Sequence, residues 1–355
     1  MTQGITTPGA GWRRADGPPA QKTQKRRRKG GGRRGRNAEI AMVDEVEFTS
    51  YYGRPIIKPP VWKTPDVPLY LFLGGAAGSS SILAAMADLT DRPALTRVAR
   101  VTAGAGSILS VVALVHDLGR PERFLHMLRV FKVTSPLSVG TYILSPFSAA
   151  AGATAAVELL GWFPRLKRFG GVVSALFGGP LATYTGVLLA NTAVPSWHHF
   201  HTKLPFVFGG SGMAAGGGIC MAFTPVDQAG PARKMAVTGA VIELAVVHQV
   251  ENDMSIVSEP YHEGRAGKLM RAAKACTAAG AGLTVLAGRT RAGAVASGTL
   301  LAAGSLLTRF GVFDAGMASA RDPKYTVIPQ RERVKGAGDG SLPTGTSVPA
   351  PDVVL

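Results

Sequence analysis

The stretch that decides the fold is LYLFLGGAAGSSSILAAMA, residues 69–87. It is apolar or small throughout, and no charged residue interrupts it. About twenty such residues are needed for a helix to cross the hydrocarbon core of a bilayer, so this stretch predicts a transmembrane helix. Gly74, Gly75 and Gly78 would let neighbouring helices approach the backbone closely, as is common where membrane helices pack.

Seven further stretches of the same kind follow it. None shows the strict alternation over about ten residues that a membrane β-barrel requires. The sequence therefore predicts an all-α integral membrane protein, with eight transmembrane helices in two four-helix bundles. The expected spans are 68–89, 95–115, 138–160, 168–192, 204–223, 232–254, 269–287 and 292–311, so that a membrane domain of 68–311 would lie between tails of 1–67 and 312–355.

Both tails are expected to be disordered, because neither contains an apolar run long enough to fold. Residues 1–67 carry fourteen Lys and Arg, including the run KRRRKGGGRRGR at 25–36, and residues 312–355 carry five more. Together the tails contribute +8 of the chain's net charge of +17. Without interleaved aromatic residues, the basic run favours a solvated tail lying against membrane lipid and predicts no nucleic-acid partner.

Orientation in the membrane is predicted from the positive charges. The loops after spans two, four and six, together with the span ends that flank them, carry nine Lys and Arg, and the other loops with their flanking span ends carry ten, so the loops do not decide. An even number of spans places both tails on one face, which we call the tail side, and their nineteen basic residues favour the cytoplasm. We expect a multi-pass protein of the cell membrane with both termini in the cytoplasm.

The cysteine content bears on redox chemistry. Cys220 and Cys276, both in apolar spans, are the two cysteines of the chain. An iron–sulfur cluster commonly uses four thiolates, so we expect no cluster on this chain, and any cluster would belong to a partner.

Polar groups collect at the tail-side ends of the even-numbered spans. Burying ionisable groups at membrane depth costs several kcal/mol each, so their presence calls for a function or a structural partner. The groups are His116, Asp117 and Arg120 after span two, Asn191, Trp197, His198, His199 and His201 after span four, and Glu243, His248, Glu251 and Asp253 in span six.

Two interpretations fit His116, Asp117 and Arg120. An imidazole backed by a carboxylate supplies the hydrogen-bonding and acid–base groups that a quinone headgroup requires. Alternatively, HDLGRPER at 116–123 only ends the helix, and its arginines reach towards lipid phosphates. Both interpretations stay open from the residues alone.

Glu243 likewise has two interpretations. Glu243 and Glu251 share one broad helical face with His248 at its margin, which would suit a proton relay towards the tail side. The alternative is a structural glutamate that is hydrogen-bonded to a neighbouring helix.

Three strings resemble the NrfD/polysulfide reductase membrane-subunit family. They are PLYLFLGGAAG at 68–78, HDLGRPERFLHMLRVFKVTSPLSVGTY at 116–142 and GPLATYTGVLLANTAVPSWH at 179–198. The resemblance covers the first four or five spans. It implies an eight-helix, quinone-binding membrane anchor without haem, beside a four-cluster ferredoxin-like iron–sulfur subunit that is joined to a molybdopterin catalytic subunit.

The resemblance also implies where a quinone would bind, whether menaquinone or another. The pocket would lie in the first four-helix half, with His116 and Asp117 exchanging protons and Arg120 giving electrostatic support. Tyr184 or Asn191 would bind the headgroup, and Tyr70 and Tyr142 compete for that role. Cytoplasmic tails would suit a cytoplasmic catalytic subunit, whereas an exported one would require the opposite orientation.

Two other classes of function stay in view. A b-type haem anchor would need paired histidines, for which His116 and His248 are the candidates. A proton-coupled secondary transporter would use the membrane carboxylates, but the paired broken helices common in transporters have no clear counterpart here.

Overall fold

The computed structural model describes residues 55–118, 122, 126–129, 131–161 and 163–338, and these contain no β-strand. The predicted all-α class is therefore confirmed for this part of the chain. Its helices are α1 Asp66–Leu89, α2 Pro93–Asp117, α3 Pro136–Leu160, α4 Pro164–Ala190, α5 Pro195–His199, α6 Leu204–Phe223, α7 Gly230–Glu251, α8 Gly264–Ala287, α9 Arg291–Arg321 and α10 Lys324–Gly338, with a 3₁₀ segment at Ile256–Tyr261 before α8.

Each predicted span corresponds to one long helix, α1 to α4 and α6 to α9. Within the described residues, six of these helices are long and apolar enough to cross a membrane. The other two, α7 and α8, fall outside that group because they carry more charge, as in Arg233 and Lys234 near the start of α7. The chain is a multi-pass, all-α membrane protein.

The long helices pack as two groups of four. In the first half, α1 and α3 each contact both α2 and α4; in the second half, α6 and α8 each contact both α7 and α9. The halves meet where α1 and α4 pack against α6. Because successive long helices run in opposite directions, α1 begins and α9 ends at the tail side, and we call the other end of the bundle the far end.

Glycines set the spacing between these helices. A Cβ at Gly78 of α1 would lie 2.4 Å from the carbonyl oxygen of Gly178 in α4, and a Cβ at Gly212 of α6 would lie 2.9 Å from the carbonyl oxygen of Gly75. Such distances leave no room for a side chain, so any larger residue would push the helices apart. The close approach predicted for Gly75 and Gly78 is confirmed, whereas Gly74 has ordinary space around it.

The sequence predicts that the last long helix ends near residue 311, but in the structure this helix is longer. Helix α9 continues to Arg321 because its final turns are buried under the tail-side segments, where Trp197 donates a hydrogen bond from Nε1 to the carbonyl oxygen of Val312 at 2.8 Å. Helix α10 then occupies 324–338 of the expected tail. Residues 1–54, which make up most of the expected N-terminal tail, and residues 339–355, the end of the expected C-terminal tail, lie outside the described residues.

Candidate functional site

A small cavity of about 50 Å³ lies inside the first half, among α1, α2, α3 and α4. Its lining is mostly apolar in surface and includes five leucines and five hydroxyl-bearing residues. An apolar chamber with a few polar groups is the usual form of a small-molecule site. The lining residues are Tyr70, Gly74, Ser110, Leu114, Met127, Leu137, Gly140, Thr141, Leu144, Leu181, Tyr184, Thr185 and Leu188.

Most of these hydroxyls are already hydrogen-bonded to the backbone. Ser110 donates to the carbonyl oxygen of Tyr70 at 3.1 Å, Thr141 donates to that of Leu137 at 2.9 Å, and Tyr184 donates to that of Pro136. No described residue supplies a hydrogen-bond partner to the Tyr70 hydroxyl, although Asp117 and Tyr184 are near enough to act on it electrostatically. Tyr70 is therefore the hydroxyl in this cavity that is best placed to bind a ligand.

His116 and Asp117 lie at the tail-side mouth of the first half and do not line the cavity. The His116 ring is 73 % exposed, and its Nδ1 lies 2.8 Å from Oδ2 of Asp66, the first residue of α1. Asp117 accepts a hydrogen bond from the backbone N–H of Lys63 at 3.0 Å. The imidazole–carboxylate pair of this site is thus His116 with Asp66, and Asp117 is held beside Tyr70 by the chain that precedes α1.

The remaining first-half candidates are spread out. Tyr184 lines the cavity, whereas Asn191 is exposed just beyond the end of α4. Arg120 lies outside the described residues. Sequence reasoning missed Asp66, which lies just before the predicted span one, and ranked Tyr70 only as a competitor of Tyr184. In the structure both residues lie in the first turns of α1, at the same tail-side level as His116.

The segment that precedes α1 crosses the tail-side end of the bundle and is held there by contacts with other helices. Trp62 stacks on Trp197 with their ring centroids 5.7 Å apart, and Trp197 also packs against Phe313 of α9. The same segment supplies the Lys63 N–H to Asp117. The geometry at the cavity mouth therefore depends on contacts to both halves of the protein.

Glu243 lies deep in the second half and is 2 % exposed. It accepts hydrogen bonds from Thr308 Oγ1 at 2.6 Å and from Thr277 Oγ1 at 3.5 Å. These contacts tie α7 to α8 and α9, which is what the structural interpretation of this residue expects.

The other two members of the expected relay lie apart from Glu243. His248 is exposed and contacts Asn252 at 2.9 Å, while Glu251 pairs with Lys274 of α8. Eight residues of helix separate Glu243 from Glu251, or about 12 Å. Among the described residues no side chain links the three, so a relay through them would need water molecules or a rearrangement.

Arg309 is a buried charge that sequence reasoning did not single out. Its side chain is fully buried and lies over the Phe208 ring, with the guanidinium carbon 4.0 Å from the ring centroid. Nη2 donates to the carbonyl oxygen of Phe208 at 2.9 Å and Nε to that of Leu71 at 3.5 Å, while Nη1 has no partner among the described residues. Arg309 therefore joins α9 to α6 and to α1, the helix that carries Tyr70.

The tail-side surface carries ion pairs outside the membrane-spanning helices. Burial acts to raise the pKa of Asp253, but the backbone N–H of Ser255 and the nearby His199 and Lys203 outweigh it and lower that pKa. A hydrogen bond from Lys324, at 2.8 Å, lowers the pKa of Glu259. Both carboxylates are therefore charged at neutral pH, and the Glu259–Lys324 pair holds α10 to the 3₁₀ segment.

A comparison with protein-family models matches residues 56–238 to the family described as "Polysulphide reductase, NrfD". The match spans more than half of the chain, from the segment before α1 into α7. The chain belongs to the NrfD family. A search of the curated proteins finds no match.

Membership of the NrfD family makes this chain a membrane subunit of an oxidoreductase complex, in a family whose members generally assemble with iron–sulfur and molybdopterin subunits. The matched region contains every residue that lines the first-half cavity, together with His116 and Asp66. Glu243 and Arg309 lie beyond it.

Proposed function

We propose that this NrfD-family subunit binds the headgroup of menaquinone or another quinone in the first-half cavity, and passes electrons between the quinone pool and an iron–sulfur partner. The observation that carries the proposal is the Tyr70 hydroxyl. It faces an apolar chamber, has no described hydrogen-bond partner, and lies within electrostatic reach of Asp117. A quinone headgroup presents a flat apolar ring and carbonyl oxygens, which match leucine walls and a hydroxyl donor.

The groups that line the cavity suit a quinone headgroup, but the volume of the cavity is too small to hold its ring. A space of about 50 Å³ holds only one or two water molecules, so a ring must displace part of the lining. Met127, on the connection between α2 and α3, is the lining side chain best suited to move, because methionine is unbranched and flexible. Binding would therefore open the tail-side wall of the cavity.

We assign a role in quinone binding or proton transfer to each of the polar residues at the tail-side end of the cavity. Bound quinone supplies the two-electron, two-proton chemistry. Tyr70 would donate a hydrogen bond to one carbonyl oxygen, and Asp117 would hold a proton close to the Tyr70 hydroxyl. His116, paired with Asp66, would exchange that proton with water at the tail side.

The other expected residues keep secondary tasks in this proposal. Tyr184 forms part of the cavity wall, with its hydroxyl bound to the backbone of α3. Arg120 would give electrostatic support from the loop after α2, and Asn191 would act only if the headgroup extended towards the end of α4.

The iron–sulfur partner would dock at the tail side, because the cavity lies close to that end. Leu114 of the lining is three residues from the last residue of α2, so the cavity lies within about 5 Å of the helix end along the axis. A four-cluster ferredoxin-like subunit placed there would bring a cluster close to the ring, and a molybdopterin subunit would complete the complex. By the charge of the tails, this side would be cytoplasmic.

Filling the cavity tests this proposal. Replacing Leu181 with Trp places a larger ring where the headgroup would lie, and we expect quinone binding by the full-length protein in detergent to weaken at least about tenfold, since a bulky insertion into a packed site must displace its neighbours. A fluorescence or calorimetric titration with a short-chain menaquinone analogue measures it.

Leu176→Trp is the matched control for this test. Leu176 lies on the same helix and is 71 % exposed, so the same substitution there should leave binding unchanged. Equal quinone affinity in the wild type and in a folded Leu181→Trp variant would remove the cavity as the quinone site.

A further inference from the structure

A second cavity, of about 620 Å³, opens at the far end of the first half, away from the proposed quinone site. Its lining includes Asp88 at the end of α1, Arg100 of α2, and Arg165, Lys167 and Arg168 in the first turns of α4. Neither the family match nor the proposed electron transfer assigns a task to this cavity.

The side chains around the far-end cavity carry an excess of positive charge. Arg100 contacts Asp88 at 3.2 Å and Glu158 of α3 at 2.9 Å. Lys167 shares Glu158 at 3.2 Å, and Arg168 approaches Asp88 only at 4.0 Å. No described carboxylate pairs with Arg165. Four cations thus share two carboxylates, which leaves an excess of two positive charges.

Hydrogen-bond donors of two kinds in the cavity wall are available to a ligand. The Arg100 side chain is only 4 % exposed, yet its buried Nε has no hydrogen-bond partner among the described residues. Helix α4 also begins here without a side-chain cap, so free N–H groups of its first turn can donate hydrogen bonds to an anion. A buried guanidinium with a spare donor is well suited to binding a phosphate oxygen.

The flank of α4 places this cavity at the surface of the bilayer. Phe169, Val172 and Leu176 are 69 %, 61 % and 71 % exposed, and their spacing puts these apolar side chains along one outward face of the helix. In a membrane helix such a face meets the acyl chains. The basic residues that begin α4 therefore stand at the level of the lipid headgroups.

We propose that the far-end cavity binds the phosphate group of an anionic membrane lipid, whose acyl chains lie along the exposed face of α4. The excess positive charge favours a lipid with a net negative headgroup over a zwitterionic one, because the choline group of a zwitterionic lipid cancels the charge that its phosphate brings to the site. The proposal is independent of the proposed quinone function, since the two cavities lie at opposite ends of the first half.

Native mass spectrometry of the full-length protein in detergent tests the proposal, with dioleoyl-phosphatidylglycerol and dioleoyl-phosphatidylcholine as the probes. The wild type should retain phosphatidylglycerol in preference to phosphatidylcholine. The double variant Arg165→Gln/Arg168→Gln removes two exposed cations, and we expect it to weaken retention of phosphatidylglycerol by about thirtyfold, given the usual contribution of each basic residue near anionic lipid.

The matched control is Lys234→Gln/Arg289→Gln, which makes the same charge change at two exposed far-end residues of the second half. It should retain phosphatidylglycerol as the wild type does. Equal retention of both lipids by the wild type, or undiminished retention by the Arg165/Arg168 variant, would overturn the proposal.

Inorganic phosphate distinguishes a lipid headgroup from a free anion. Millimolar phosphate should leave phosphatidylglycerol bound, because the acyl chains contribute to retention. If phosphate alone displaced the lipid, the lipid assignment would be overturned in favour of a free phosphate ion.

Discussion

Replacing Tyr70 with Phe is expected to lower quinone-linked turnover of the assembled complex by about a hundredfold, the lower range for loss of one hydrogen-bond donor positioned at an oxygen that gains negative charge. The substitution removes one hydroxyl and leaves the ring that packs between the helices. It takes away the cavity donor that no described residue already engages. Steady-state oxidation of a menaquinol analogue, followed with the complete complex, measures the effect.

Tyr142→Phe is the control for Tyr70→Phe. The Tyr142 hydroxyl donates to the carbonyl oxygen of Leu128 at 2.9 Å, and its ring packs against Phe131 rather than lining the cavity. This variant should keep normal turnover. If Tyr70→Phe turned over quinol as fast as Tyr142→Phe, Tyr70 would not be a headgroup ligand.

Replacing Arg309 with Met is expected to lower the free energy of unfolding by about 3 kcal/mol, as when one member of a buried charged network is removed. The substitution would leave the carbonyl oxygen of Phe208 without its donor and remove the cation that interacts with Glu243. Unfolding of the detergent-solubilised protein by sodium dodecyl sulfate, followed by circular dichroism, measures the loss.

Arg321→Met changes the same residue type on the same helix, at an exposed position, and should cost little. Adding Glu243→Gln to Arg309→Met should recover part of the loss, because the carboxylate then no longer needs a nearby cation. Equal stability of Arg309→Met and Arg321→Met would show that the buried guanidinium does not hold the halves together.

The class of fold could be predicted because it rests on local sequence. The length and apolar character of residues 69–87 require a membrane helix whatever surrounds them, and α1 is that helix. The same holds for the close packing at Gly78, since small residues in such a stretch serve few other purposes.

The C-terminal end of the last long helix, α9, could not be predicted in the same way. Helix α9 continues past residue 311 because Trp197, more than a hundred residues away in sequence, covers its final turns. Arg309 was overlooked for the same reason. Near the predicted end of a span, an arginine normally reaches lipid or water, whereas in the longer helix it is fully buried.

The location of the candidate site could be predicted from the sequence, but the hydrogen-bond partners of its residues could not. The sequence put His116 and Asp117 at the tail-side end of the first half, where the structure has them. It could not show that His116 would pair with Asp66 or that Lys63 would bind Asp117, because both contacts span about fifty residues and depend on how the chain before α1 crosses the bundle.

Photolabelling of the assembled complex with an azido-quinone, followed by mapping of the labelled peptides, tests the quinone site most directly. The label that is competed by excess quinone should fall on α1 near Tyr70 or on α4 near Leu181. Competed label confined to α6–α9 would contradict the account and place the quinone in the second half.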